Sequence, residues 1–242
     1  MTKALQLAGF FLSTLTGNKY CMSVLPTYNV ANLFTSEEMD EVDHLIQAIG
    51  KHDIDDSGSY QDSGKNGKHA GKVISNNIYW NYHSHPEIEK ILTPKIEDLI
   101  QKKLSVTDAH ILEAKIPYLI HTDVLHNNRG LSPEYTIIIP LETYDSISIC
   151  FNEWAEESND FEEFKQNYQG EKKLKMDPKF CASRLSHLHP KDLMYLTLHD
   201  TFVWTKGSVF AMDRKYFHCS DNFLRRGLNQ KRAIILWTLN NN

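Results

Sequence analysis

No stretch of this chain stays apolar for the roughly 18 residues that a membrane-spanning helix requires, so no membrane anchor is expected. Positive charge is not in surplus either. Lys and Arg number 26 against 31 Asp and Glu, for a net charge of −5, and no basic stripe carries interleaved aromatics. Nucleic acid is therefore not an expected partner. Cysteine is scarce. The four residues Cys21, Cys150, Cys181 and Cys219 show no CxxC spacing, which excludes a disulfide framework and points to free thiols in a reducing cytoplasm. There is no internal repeat and no low-complexity tract. The segment ALQLAGFFLSTL near the N-terminus comes nearest to a secretory leader. It follows a single Lys3 and lacks a small-residue cleavage site after it, so it is expected to pack on the domain as a strand or helix.

What is present suits one domain over residues 1–242 with a substantial core, since 41% of residues are apolar and 24% charged. Residues 35–50 predict a capped amphipathic helix. Thr35 and Glu38 form a capping-box pair, Met39, Val42, Leu45, Ile46 and Ile49 trace one stripe, and Gly50 is the stop. Residues 51–72 are polar and rich in Gly and Ser, the composition of a mobile surface loop. A second helix is expected over 86–104, restarted or kinked at Thr93-Pro94. Beyond it lie short β-branched runs at 109–123, 134–142, 146–154, 202–220 and 232–239. Residues 155–179, an acidic half followed by a lysine-rich half, read as a solvated insertion. Helices first and many short strands afterwards predict an α+β chain built on a jelly roll. Residues 1–104 form its N-terminal helical support, and 105–240 its core with an insertion at about 155–200.

One strand-like run, PYLIHTDVLHNN, carries an imidazole and a carboxylate two residues apart, His121 and Asp123. On an extended chain these share a face, and packing alone does not ask for that pair. A third ligand has to come from elsewhere. His218, after the strand opened by Gly207, is the candidate, and Arg232 follows at the head of the last apolar strand. This ordered set, HTD, then YFHCSD, then KRAIIL, resembles the Fe(II)/2-oxoglutarate-dependent oxygenases, including the prolyl-hydroxylase-like members. The resemblance covers about 105–240 and implies a double-stranded β-helix.

It further implies that His121, Asp123 and His218 hold Fe(II) and leave open positions on the metal, the facial arrangement suited to non-haem oxygenases. O2 and 2-oxoglutarate would be consumed together. Oxidative decarboxylation to succinate would be coupled to hydroxylation, or by the same route demethylation, of a small molecule or peptide side chain. Arg232 would pair with the distal carboxylate of 2-oxoglutarate, since a guanidinium matches a planar carboxylate with two hydrogen bonds. Ile234 stands where many members have Ser or Thr, so another hydroxyl is needed, with Tyr118 and Tyr135 as candidates. Arg225 and Arg226 are competing cations in a polar loop. Substrate choice would fall to the segments around 51–85, 124–133 and 155–200.

Two other constellations compete. His83 and His85 in YHSHP resemble the zinc motif of JAMM-type isopeptidases, a hydrolase reading. The position at which that motif supplies its aspartate is Ile96, which cannot bind metal. His187 and His189, or His199 and Asp200, lack a third ligand at a matching spacing. A jelly-roll binding protein without turnover is the third alternative.

Overall fold

The computed structural model describes residues 24–55, 73–124, 132–155 and 161–240, so the expectation for the N-terminal apolar segment lies outside the described residues. In chain order the elements are β1 (Tyr28–Val30), α1 (Ser36–Ile49), β2 (Lys51–Asp55), β3 (Ser75–Tyr79), α2 (Pro86–Ile100), β4 (Val106–Ala114) and β5 (Ser132–Pro140). They continue with β6 (Ile147–Trp154), α3 (Phe161–Asn167), α4 (Pro178–Arg184), β7 (Leu198–Val203), β8 (Val209–Asp213), β9 (Tyr216–Ser220) and β10 (Lys231–Asn240). Every strand pairing is antiparallel. The strands form a seven-stranded sheet in the order β1-β8-β5-β10-β4-β3-β2 and a three-stranded sheet in the order β7-β6-β9.

The helices dock because their apolar residues recur on one face. Thr35 caps α1: its hydroxyl accepts from the Glu38 amide at 3.2 Å, and the Glu38 carboxylate accepts from the Thr35 amide at 2.8 Å. Met39, Val42 and Ile46 of α1 and Ile88, Leu92, Ile96 and Ile100 of α2 then bury against Ile111, Ile137, Ile139, Ile234 and Leu236 of the large sheet. Pro94 neither ends nor restarts α2, which runs through it. The Thr93 hydroxyl bonds the Tyr82 hydroxyl at 2.9 Å instead of capping a new turn.

Strand alternation puts the next residues along, Ile138, Phe210, Met212, Ala233 and Ile235, on the opposite face, where they meet Cys150, Phe202 and Trp204 from the small sheet. A third core lies on the outer side of the small sheet. There Ile149, Phe151, Phe217 and Cys219 are covered by Phe161, Met176, Cys181, Leu185, Leu188, Leu193 and Leu196. Of the insertion's described residues, 161–179 are mostly exposed and bury only Phe161 and Met176, while 180–196 supply most of the layer that covers the small sheet.

Three other expectations change. Residues 51–55 form the edge strand β2 rather than the start of a loop, paired from Lys51 opposite Tyr79 to Asp55 opposite Ser75. The run 109–123 leaves the sheet after Ala114. The run 202–220 is divided by turns at 204–208 and 214–215. Gly207 in the first turn has φ +74°, and a Cβ there would stand 2.2 Å from the Phe34 carbonyl oxygen, so only glycine fits.

Candidate metal centre

The segment after β4 returns to the sheets through main-chain bonds. His121 pairs with His218 on β9 by two of them, His121 N to His218 O at 3.1 Å and His218 N to His121 O at 2.9 Å. Two residues on, the Asp123 amide donates to the Arg214 carbonyl at 3.0 Å. This extended stretch turns both side chains to the same side as His218. His121 Nε2 lies 3.7 Å from Asp123 Oδ1, and His218 Nε2 lies 3.4 Å from Asp123 Oδ2. The two imidazole centroids are 4.3 Å apart. Among the described residues, these three are the one group of three or more His, Cys, Asp or Glu side chains whose ligand atoms lie within 4.8 Å of one another.

The backbone fixes which ring nitrogens face the centre. His121 Nδ1 sits 2.8 Å from the Leu119 carbonyl, and His218 Nδ1 sits 3.0 Å from the Tyr216 carbonyl. A carbonyl only accepts, so each Nδ1 carries the proton, and each neutral ring offers its Nε2 lone pair to the shared point. Asp123 is oriented by the Thr136 hydroxyl of β5, which donates to Oδ2 at 2.5 Å. Its main-chain carbonyl takes two bonds from the buried Arg214 guanidinium, from Nε at 3.0 Å and from Nη2 at 2.5 Å.

Electrostatics match the geometry. Burial pushes the His121 imidazolium down to about 4, and the neighbouring His218 adds to this. Burial also opposes a cation at His218, but the Asp123 carboxylate outweighs it and raises the pKa. At Asp123 burial favours the acid. The two imidazoles and Thr136 reverse that and hold the carboxyl well below the usual range. Two imidazole nitrogens and one ionised carboxylate, nearly dry and pre-oriented, are a donor set that fits a divalent transition metal.

The site lines a cavity of about 320 Å³ between the two sheets. Tyr118 reaches it, with its ring centroid 5.6 Å from that of His121 and its hydroxyl donating to Ser75 Oγ at 3.0 Å. Arg232 and Tyr135 do not. Arg232 forks onto Asp43 of α1 at 2.8 and 3.0 Å and also meets Glu113 at 3.0 Å, on the helix side of the large sheet. Tyr135 is buried in the helix-side core against Tyr28. Both miss the cavity for one reason: on their strands the inward positions are the neighbours, Lys231 and Thr136. Arg225 bonds the Ala182 carbonyl, and Arg226 pairs with Asp145.

Lys231 is the cation that sequence reasoning missed. It is 1% exposed and enters the cavity at the end of β10 away from Trp237. Its Nζ lies 3.1 Å from Ser146 Oγ and 3.9 Å from the Trp204 ring centroid. Burial pushes its ammonium down to about 7, against the pull of Asp221. Alternation separates the two, since Lys231 shares its face with Ala233, Ile235 and Trp237 and Arg232 shares its own with Ile234 and Leu236, but both rows are apolar and neither is marked in the sequence as the cavity side.

The rival histidines do not assemble a site. His83 Nδ1 meets Glu89 at 2.5 Å, and His85 Nδ1 meets Glu87 at 3.3 Å. His187 Nε2 faces the Tyr118 carbonyl at 3.3 Å, and His189 Nδ1 accepts from the Lys191 amide at 3.2 Å. His199 stacks on Tyr216 at 5.0 Å.

No protein-family model matches the sequence, and no curated protein matches it. Solved structures do match the fold. One is the non-heme alpha-ketoglutarate-dependent carbocyclase SnoK from nogalamycin biosynthesis, with TM-score 0.52 and 13% identity over 88% of this chain and 79% of that one. Another is the epimerase SnoN in complex with Fe3+, alpha-ketoglutarate and nogalamycin RO, with TM-score 0.51 and 9% identity over 88% and 78%. At such low identity the likeness shows the fold alone, a double-stranded β-helix.

Proposed function

We propose that this protein is an Fe(II)/2-oxoglutarate-dependent oxygenase that hydroxylates a small organic molecule. One observation carries the reading: His121, Asp123 and His218 converge on the wall of a buried cavity that has a lysine at its far end. The two similar structures named above support it as proteins described by their alpha-ketoglutarate dependence.

The three side chains would hold the metal, and Lys231 would take the distal carboxylate of 2-oxoglutarate. When bound, the iron and 2-oxoglutarate supply the oxidising chemistry, in which O2 is consumed and succinate and carbon dioxide are released. The chain's own residues orient and seal. The Leu119 and Tyr216 carbonyls fix the two imidazole tautomers. Thr136 orients the Asp123 carboxylate, and Arg214 holds the Asp123 main-chain carbonyl. Ile138, Ile235, Leu112 and Trp204 keep the cavity dry, which strengthens the Lys231–carboxylate attraction. The described cysteines Cys150, Cys181 and Cys219 are free thiols, in keeping with a cytoplasmic location.

The test is anaerobic titration with Fe(II) and 2-oxoglutarate, watched for the weak visible charge-transfer band of the ternary complex, followed by succinate release in air. The wild type is expected to show both. His121→Ala, Asp123→Ala and His218→Ala should each lose both while keeping the wild-type circular dichroism. Full succinate release in any of the three would remove that residue from the metal centre. A passive jelly-roll binder would give neither signal in the wild type.

A further inference from the structure

The wall built by β3, β4 and β10 carries side chains for which the metal and 2-oxoglutarate have no use. The register sets Tyr79 opposite His110, and His110 opposite Ile235, two residues before Trp237. The three rings form a row along the cavity. His110 lies 5.0 Å from Tyr79 at 40° and 5.6 Å from Trp237 at 84°, centroid to centroid. Asn77, two residues before Tyr79 and on the same face, also lines the cavity and is 8% exposed. Its Oδ1 and the Nε1 of Trp237 are buried, and neither has a hydrogen-bond partner among the described residues. Leaving a buried polar atom unmet is costly, so one acceptor and one donor left open on a single cavity wall point to a ligand that satisfies them.

The wall also discriminates by charge. Within the row of rings the imidazole is His110, already engaged by Asp108 Oδ1 at 2.8 Å. The Arg214 guanidinium lies 4.9 Å from the Trp237 ring centroid and Asp108 stands opposite Trp237 in the register, so the charges beside the ring offset one another and leave no unpaired partner for an ammonium. A carboxylate would compete at Arg214 with the Asp123 and Thr238 carbonyls, which take three of its N–H donations, and with the nearby Asp108 and Asp123 carboxylates. Lys231 stands at the other end of β10, apart from the row of rings.

We propose that this wall is the substrate subsite, and that it takes an uncharged cyclic molecule which accepts a hydrogen bond from Trp237 Nε1 and donates one to Asn77 Oδ1. As the substrate site of an oxygenase it rests on the reading above; its preference for neutral rings does not.

Two matched probe series test it on the full chain loaded with Ni(II) and 2-oxoglutarate. One comprises the phenyl glycosides of glucose, glucuronic acid and glucosamine; the other comprises tryptophol, indole-3-acetate and tryptamine. Calorimetric titration should show the neutral member of at least one series binding about tenfold more tightly than its charged siblings. Asn77→Leu and Trp237→Phe should each weaken that neutral probe about fivefold or more, with Ni(II) and 2-oxoglutarate titrations and thermal midpoint unchanged. A charged probe binding best in either series, no probe binding at all, or wild-type probe affinity in both variants would overturn the proposal. So would a loss of 2-oxoglutarate affinity in Asn77→Leu, which would assign that side chain to the cosubstrate. Wild-type protein that takes up neither metal nor 2-oxoglutarate would sink the oxygenase reading instead. The same probes titrated into the unloaded chain then decide the wall's preference by itself.

Discussion

Lys231 and Arg232 are neighbours in sequence and opposites in surroundings, and the contrast yields a sharp test of cosubstrate binding. Arg232 has three carboxylates around it, from Asp43, Glu113 and Glu142. Lys231 has a serine hydroxyl and two aromatic rings, with Asp221 reaching it only through Ser146, whose hydroxyl donates to Asp221 Oδ1 at 2.6 Å. Lys231 is therefore the side chain left in need of an anion. Lys231→Met is expected to raise the 2-oxoglutarate concentration for half-maximal succinate release by about 30-fold or more, the loss of a charge-assisted pair worth about 2–4 kcal/mol. Arg232→Met should change it less than about threefold while lowering stability. The reverse ranking would restore Arg232 as the anchor. The pH dependence follows with a definite sign. Burial holds the free-state Lys231 ammonium at about 7, and a bound carboxylate raises that value, so binding takes up a proton as the pH climbs above 7. Affinity for 2-oxoglutarate should fall with rising pH, by up to about tenfold per unit. Lys231→Arg, charged throughout, should flatten that slope; an equally steep slope in this variant would show that another group titrates.

At the scale of elements, what the sequence disclosed depended on how much of each element's own surroundings it carries. The capping box of α1 and the stripes of both helices were legible, because a helix writes its buried face into its own spacing. The HTD pair was legible because two ligands on one extended stretch stand out against packing. That Arg232 faces the helices and not the cavity was hidden, because alternation divides a strand into two faces without saying which one the helices cover. Both faces of β10 are apolar beyond its first residues. The edge strand β2 was hidden by a polar composition, which a solvent-facing edge permits. The charge of 155–179 made that tract legible as solvated, whereas the layer over the small sheet comes mainly from the apolar residues of 180–196, which carry no regular spacing to announce it. Leu185, at the end of α4 and 1% exposed, tests how firmly that layer is fixed. Leu185→Ala should cost about 2–5 kcal/mol in urea unfolding. The midpoint should fall, and the 2-oxoglutarate requirement of the folded fraction should stay unchanged. A loss under 0.5 kcal/mol would mean that the layer rests loosely on the small sheet, as a movable cover would.

For the molecule as a whole, the candidate metal centre would also be a cross-brace. His218 belongs to β9 of the small sheet. Asp123 is held by Thr136 of β5 and by Arg214, which follows β8, and both of those strands belong to the large sheet. His121 joins the two through its main-chain pair with His218. A ligand that engages all three side chains therefore stabilises the packing of one sheet on the other, and only in the folded chain do these atoms converge. Binding to the native state alone adds about 2.7 kcal/mol at a hundredfold excess over Kd. For a chain of 242 residues that is a rise in Tm of about 5–10 °C. Ni(II) with 2-oxoglutarate should produce this rise, a chelator should reverse it, and His218→Ala should abolish it without unfolding the apo protein. Lys231→Met should keep the part due to metal and lose most of the increment due to 2-oxoglutarate, because it cuts the cosubstrate's far contact and leaves the brace in place. A metal-dependent rise that survived His218→Ala would put the ion elsewhere and leave the two sheets joined by packing alone.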